Sequence, residues 1–180
     1  EAGGHVRGAV PLRQLLMELT GTFPGTPLLA AGGLANAQDI AAVRSAGAAG
    51  VWLGTRFVCA VEANAAEVYQ DMITRAGAGA TVLTTLFAGG WPDAPHRVLR
   101  NSTIRAWEAA GHAAGPASEI ADVVAHTAKG APIERYAFAL PTKTMTGNLE
   151  AMALYAGLGA ERIRDVQPAR DLMRALAAAL

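Results

Sequence analysis

Three short stretches carry the residues that can do chemistry: EAGGH (Glu1 to His5), AAGG (Ala30 to Gly33) and GT (Gly54, Thr55). With an unperturbed pKa near ~6.5, an imidazole donates or accepts a proton at neutral pH. By its residues alone, His5 also reads as a histidine on a flexible end with no task. The other two stretches point to an anion. Glycine lets backbone N–H groups approach a ligand with no Cβ in the way. A helix starting just after such a turn adds converging donors and a partial positive charge. From Gly33 to Gly54 is 21 positions (54 − 33), room for one helix and one strand. A phosphate-bearing ligand held between the turns suits this spacing, with Arg56 as a further charged contact. The plainer alternative is that the glycines only make turns.

For the two turns to meet, the elements around them must run in parallel. PLLAAGG and GVWLGT each read as a strand buried on both faces, which places Trp52 in the core. Between them Asn36 caps a helix whose inner face is Ile40, Ala41 and Val43, stopped by Gly47. RFVCAVEANAAEVYQDMITRAG reads as one helix after the second strand. Strand, glycine turn and helix, twice over, is the alternation of a parallel α/β fold, whose strand ends face one side. Ahead of this unit, Leu12, Leu15, Leu16 and Leu19 after Pro11 mark another helix.

Beyond Gly79 the pattern loosens. TVLTTLF reads as a strand or extended segment, and Ala88 to Pro116 as long surface loops with short helices. ASEIADVVAHTAKG is expected as a helix capped by Ser118, and TGNLEAMALYAGLGA as helical up to Gly157. PARDLMRALAAAL starts a helix at Pro168 and shows Leu172, Met173, Leu176 and Leu180 on one face. His96, His112 and His126 read as solvated loop histidines, because their spacing converges on no metal. Trp91 and Trp107 suit either a substrate entrance or plain packing. Cys59 reads as a buried structural thiol, and Tyr136, Lys143 and Thr144 are substrate-side candidates.

Bulk properties narrow the class. The chain has 180 residues, 52% of them hydrophobic, with 15 basic against 15 acidic side chains. No basic surplus exists to neutralise phosphates, so a nucleic-acid partner is not expected. Apolar runs fall short of the ~20 residues that span a bilayer, and a cytoplasmic protein without a membrane partner is expected. One cysteine excludes an internal disulfide and a multi-cysteine zinc site.

EAGGH, AAGG with the following GLA, GVWLGTRF, RVLRN and YAG (Tyr155 to Gly157), in this order, resemble the blocks of the nitronate monooxygenases, formerly called 2-nitropropane dioxygenases. EAGGH and GTRF are shared with the flavin-dependent enoyl-acyl-carrier-protein reductases of the same superfamily. The resemblance implies an FMN-dependent oxidoreductase that oxidises nitronates or nitroalkanes with O2. It implies that His5 is the catalytic histidine, and that Gly4, Ala31, Gly32, Gly33, Gly54 and Thr55 bind FMN, the last four at its phosphate. Two positions depart from the blocks: Gly8 stands three places after His5 rather than two, and apolar Leu158 follows YAG. The implied fold is α/β, the C-terminal part of a parallel β/α (TIM-type) barrel with an inserted helical and loop substrate segment. Residues 1–80 would hold the last strands and the phosphate site, 81–148 the substrate-side segment, and 149–180 the closing helices. A full barrel needs ~250 residues, so an N-terminal barrel half is expected as a partner. Alone, the chain is expected to bind FMN weakly or not at all and to lack turnover. The alternatives are the enoyl reductase and an inactive half-barrel remnant.

Overall fold

A computed structural model of the chain describes residues 1–5, 8–89, 91, 94–112 and 122–179. Helix α1 (Leu12–Thr22) leads into strand β1 (Leu29–Ala31), helix α2 (Ala37–Ser45) and strand β2 (Gly50–Trp52). β1 and β2 pair in parallel, Leu29 opposite Gly50 and Ala31 opposite Trp52, as the repeated glycine-turn pattern anticipates. Parallel pairing requires a crossover, and α2 supplies it. A capping box sets where α2 begins. Asn36 accepts the Asp39 N–H (2.9 Å), and the Asp39 carboxylate accepts the N–H groups of Ala35 (2.7 Å) and Asn36 (3.3 Å).

Burial differs from the sequence reading at three places in this unit. Ala41 is exposed, while Ile40 and Val43 face inward, because Ala41 lies ~100° around the helix from Ile40. Leu29 is 64% exposed and Trp52 70%, so neither strand is buried on both faces. Strand side chains alternate in direction. Ala30 and Val51 pack with Leu16, Val43 and Ala48 beneath α1 and α2, whereas Leu29 and Trp52 point away from that cluster.

The long helix expected after β2 is two. Helix α3 (Thr55–Val58) ends where Ala60 bridges Gln167, and helix α4 (Glu67–Thr74) begins after an irregular turn. Tertiary bonds override the local helical pattern. The Val61 N–H donates to Gln167 O, the Gln167 N–H to Cys59 O, and the buried Gln70 amide to Val58 O (2.8 Å) and Ala60 O (3.0 Å). Cys59 is fully buried; burial chiefly pushes its thiol up to about 11, with nearby Arg56 opposing and Asp165 adding. The structural reading of this thiol holds.

Strand β3 (Thr81–Thr84) pairs antiparallel with strand β4 (His96–Leu99), which lies in a stretch expected to be loop. Helix α5 (Ser102–Ala109) follows. Strand β5 (Val123–His126) stands where a helix was expected, between β6 (Pro132–Glu134) and β7 (Thr146–Gly147); Ser118 lies outside the described residues. β-Branched Val123 and Val124 suit the pleated surface. The helix expected over TGNLEAMALYAGLGA is instead a 3₁₀ turn (Leu149–Ala151), extended backbone to Gly157, and a second 3₁₀ turn (Leu158–Arg162). Ala151 to Leu154 is buried on all sides. Its neighbours bond to β4, through Leu99 N–H to Leu154 O (2.9 Å) and Ala156 N–H to Arg97 O (3.1 Å). Helix α6 (Ala169–Ala177) buries Leu172 and Leu176 and leaves Met173 53% exposed; Leu180 lies outside the described residues. Among the described residues no helix is long and apolar enough to cross a membrane, and no cluster of His, Cys, Asp and Glu could hold a metal.

Asn101 ties these parts together. Fully buried, it accepts the Ile104 N–H to cap α5 and donates to the carbonyls of Glu150 (2.8 Å) and Met152 (2.7 Å). Asn101→Ala removes a helix cap and strands two carbonyls. The expected cost is about 3 kcal/mol, read as a lower urea midpoint at unchanged slope; a shift under about 1 kcal/mol would refute this role.

Candidate functional site

Why two glycines precede His5 is answered by what a Cβ would meet at each. On Gly3 it would lie 2.9 Å from Ala156 N, against backbone that cannot yield. On Gly4 it would meet no described atom within 4 Å. Gly3 thus serves packing, and Gly4 faces open space. Two further glycines meet backbone in the same way: a Cβ on Gly157 would lie 2.7 Å from Glu1 O, and one on Gly159 2.8 Å from Gly33 O. The N-terminal segment, the turn after β1 and the 156–159 stretch therefore touch backbone to backbone. Hydrogen bonds fasten the contact: Leu158 N–H to Glu1 O (2.9 Å), Arg97 N–H to Gly3 O (3.1 Å) and Arg162 Nη2 to Gly33 O (2.6 Å).

Above this floor lies a cavity of about 550 Å³, within the range of small-molecule sites. All seven residues singled out from sequence line it: His5, Gly4, Ala31, Gly32, Gly33, Gly54 and Thr55. Gly32 (φ 104°) and Gly33 (φ 73°) take left-handed conformations that only glycine adopts without strain. Among the described residues, the N–H groups of Gly33, Gly54 and Thr55 donate to no protein acceptor, while that of Gly32 lies at the end of the β1–β2 ladder. The Thr55 hydroxyl accepts the Gly157 N–H (3.0 Å), which leaves its own proton available. Arg56 does not join them. It is 6% exposed and turned onto Asp165, at 2.8 Å to the carboxylate, with a second bond to the Asp165 carbonyl. Burial opposes ionisation of Asp165, but the bonds from Arg56 and Gln167 prevail and hold its carboxyl below the usual range. Among the described residues, those facing an anion here are backbone amides and one hydroxyl.

The opposite side is aromatic and apolar: Trp52, Phe138, Leu140, Tyr69 and Tyr155. Burial pushes the Tyr155 phenol up to about 12 and the Tyr69 phenol higher still, so both remain neutral donors. Tyr69 donates to Tyr155 O, and Tyr155 to Phe138 O (3.0 Å). His5 Nε2 lies 3.3 Å from Phe87 O, and its ring packs against Tyr155, Trp91 and His96, with centroids 5.4, 5.5 and 4.5 Å away.

Other sequence candidates separate. His96 is buried in β4 rather than solvated in a loop, while His112 and His126 are exposed. Trp91 is 62% exposed beside His5; Trp107 packs on the Phe87 cluster and stacks on His112. Tyr136 joins that cluster too. Lys143 lines a separate groove of about 870 Å³ beside Glu67, Asp71 and Glu150, and donates to Val61 O. Tyr136, Lys143 and Thr144 do not line the cavity. The sequence reading missed Phe138, Leu140, Tyr69 and His96. Only Tyr155 had a signal, the YAG block.

The nitronate monooxygenase family model matches residues 1–179. This chain belongs to the nitronate monooxygenase family. It is 39% identical over 116 residues to the nitronate monooxygenase npaC of Metarhizium robertsii, a match covering 57% of this chain and 32% of that protein. Among solved structures it is similar to a FabK mutant from Thermotoga maritima (26% identity, TM-score 0.66, 98% of this chain and 48% of that one). It is also similar to a nitroalkane oxidase from Streptomyces ansochromogenes (28% identity, TM-score 0.64, 95% and 44%). The chain thus spans a third to a half of the length of these relatives.

The two glycines before the family's histidine block make a paired test. Gly3→Ala should destabilise by about 1–3 kcal/mol through overpacking against Ala156, whereas Gly4→Ala should stay within about 0.5 kcal/mol. Thermal or urea unfolding of both variants reads the difference, and equal effects would contradict the close packing described.

Proposed function

We propose that the cavity binds FMN and that the completed protein oxidises alkyl nitronates or nitroalkanes with O2. One observation carries the reading: in a member of this family, His5 and the glycine turns after β1 and β2 line a single cavity. The residues present suit a flavin mononucleotide. Unpartnered amides at Gly33, Gly54 and Thr55, with the Thr55 hydroxyl, suit a phosphate. Open space at Gly4 and Gly54 suits the close approach of a ligand, and the apolar wall suits a flat ring.

The bound flavin would supply an electron acceptor that O2 regenerates. The chain's own part is acid–base and positional. The His5 imidazole accepts a proton from the carbon of a neutral nitroalkane or steadies charge on a nitro oxygen. Phe138, Leu140 and Trp52 present exposed apolar surface for a flat ring to cover. We further infer that residues 1–80 hold the last strands of a β/α barrel, completed by strands this chain does not contain. The exposed Leu29 and Trp52 on the β1–β2 pair support this, as does the greater length of the relatives. Residues 81–148 would form the substrate side and 149–180 the closing segment.

The test uses the chain together with the N-terminal strands that complete the barrel. FMN fluorescence should quench saturably. Thr55→Val should weaken that binding about tenfold, the loss of one charge-assisted hydrogen bond. His5→Ala should keep the flavin yet lower nitroalkane-dependent oxygen uptake by about 10²–10⁴-fold, with a smaller effect on preformed nitronates. Absence of saturable FMN binding would sink the reading. NADH consumption without any nitronate would favour the enoyl-thioester reductase instead.

A further inference from the structure

His96 lies beneath His5, does not line the cavity, and was expected to be a solvated loop residue. Its two ring nitrogens have partners of opposite kind. Nε2 faces the Phe87 N–H at 3.2 Å, and Nδ1 faces the Ala94 carbonyl at 3.1 Å. An N–H can only donate and a carbonyl can only accept, so His96 must be neutral with its proton on Nδ1. Burial, which holds its protonated form unfavourable, agrees; the His5 charge works in the same direction, and only the Ala94 bond opposes.

The same residue, through the carbonyl of its next peptide group, then meets His5, which lines the cavity. The Phe87 carbonyl accepts from His5 Nε2 at 3.3 Å, and the Tyr155 hydroxyl lies 3.5 Å from it. Phe87 itself is fully buried between Leu86, Val98 and Ile104. Its residue is therefore held on three sides: by its side chain in the core, by His96 at its N–H, and by His5 at its carbonyl. Since a carbonyl cannot donate, His5 must carry its proton on Nε2, which leaves Nδ1 as its basic nitrogen.

We propose that His96 is a positioning residue for His5: by anchoring the Phe87 residue it aims that carbonyl at His5 Nε2 and selects the His5 tautomer whose free lone pair is on Nδ1. The chain acts as a relay of fixed hydrogen bonds, from Ala94 through His96 and Phe87 to His5. The link to catalysis rests on the proposed role of His5, but the geometry does not, and the two can fail separately.

The test uses the 180-residue chain with ¹⁵N-histidine labels and no flavin, so a failure of FMN binding leaves it readable. Its four histidines give four ring signatures, assigned by single substitution. Above the histidine titration range, His96 should show its proton on Nδ1 and His5 on Nε2, the latter in slow exchange with water. In His96→Phe, which fills the space but cannot accept from Phe87, exchange of that His5 proton should speed up roughly tenfold, the loss of about one hydrogen bond. His96→Gln, whose amide oxygen can accept the Phe87 N–H, should retain the slow exchange. The proposal is overturned if wild-type His5 carries its proton on Nδ1, if His96 carries its proton on Nε2, or if a folded His96→Phe leaves His5 exchange unchanged. Should His96→Phe fail to fold, the wild-type tautomers still decide.

Discussion

The interaction on which the rest depends is close contact between backbones. Gly3 against Ala156, Gly157 against Glu1 O and Gly159 against Gly33 O each leave no space for a Cβ. Through these contacts three segments far apart in the chain form one floor, and the cavity residues stand on it. An alanine at any of them would force main chain against main chain, which cannot relax by rotating a side chain. Glycine is the residue that permits both the approach and the left-handed turns at Gly32 and Gly33.

On this floor the polarity of the site is divided. One side presents amides and the Thr55 hydroxyl, and the other presents aromatic rings and two phenols kept neutral by burial. Among the described residues that line the cavity none carries a permanent charge. Arg56, the nearest candidate in sequence, is held by Asp165. Fixed backbone dipoles of this kind suit the anion of the proposed ligand.

How legible all this was varied with the range of the forces involved. The β1–α2–β2 unit could be read because its signals are local: an Asn36 cap, alternating apolar runs and glycine turns. The seven cavity residues could be named because glycine before a helix start has a local meaning, and because the EAGGH and GTRF blocks resemble a known family. His96 could not. Its role comes from Phe87 and His5, nine and 91 positions away (96 − 87 and 96 − 5), and nothing near it in sequence signals either partner. Within the stretches expected to be helical, Val123–His126 is strand and Met152–Gly157 extended because β6, β7 and β4 offer them hydrogen bonds, and a local pattern cannot foresee that offer.

By itself, the sequence determined which residues could bend sharply, cap a helix, approach a ligand or exchange a proton, since these are properties of single side chains and their near neighbours. Only the tertiary structure decided which of them meet: that Gly3 packs while Gly4 stays open, that Arg56 turns away, and that Phe87 joins one histidine to the other. Such meetings depend on distances between segments far apart along the chain, which are set by packing and long-range hydrogen bonds rather than by any residue's own preference.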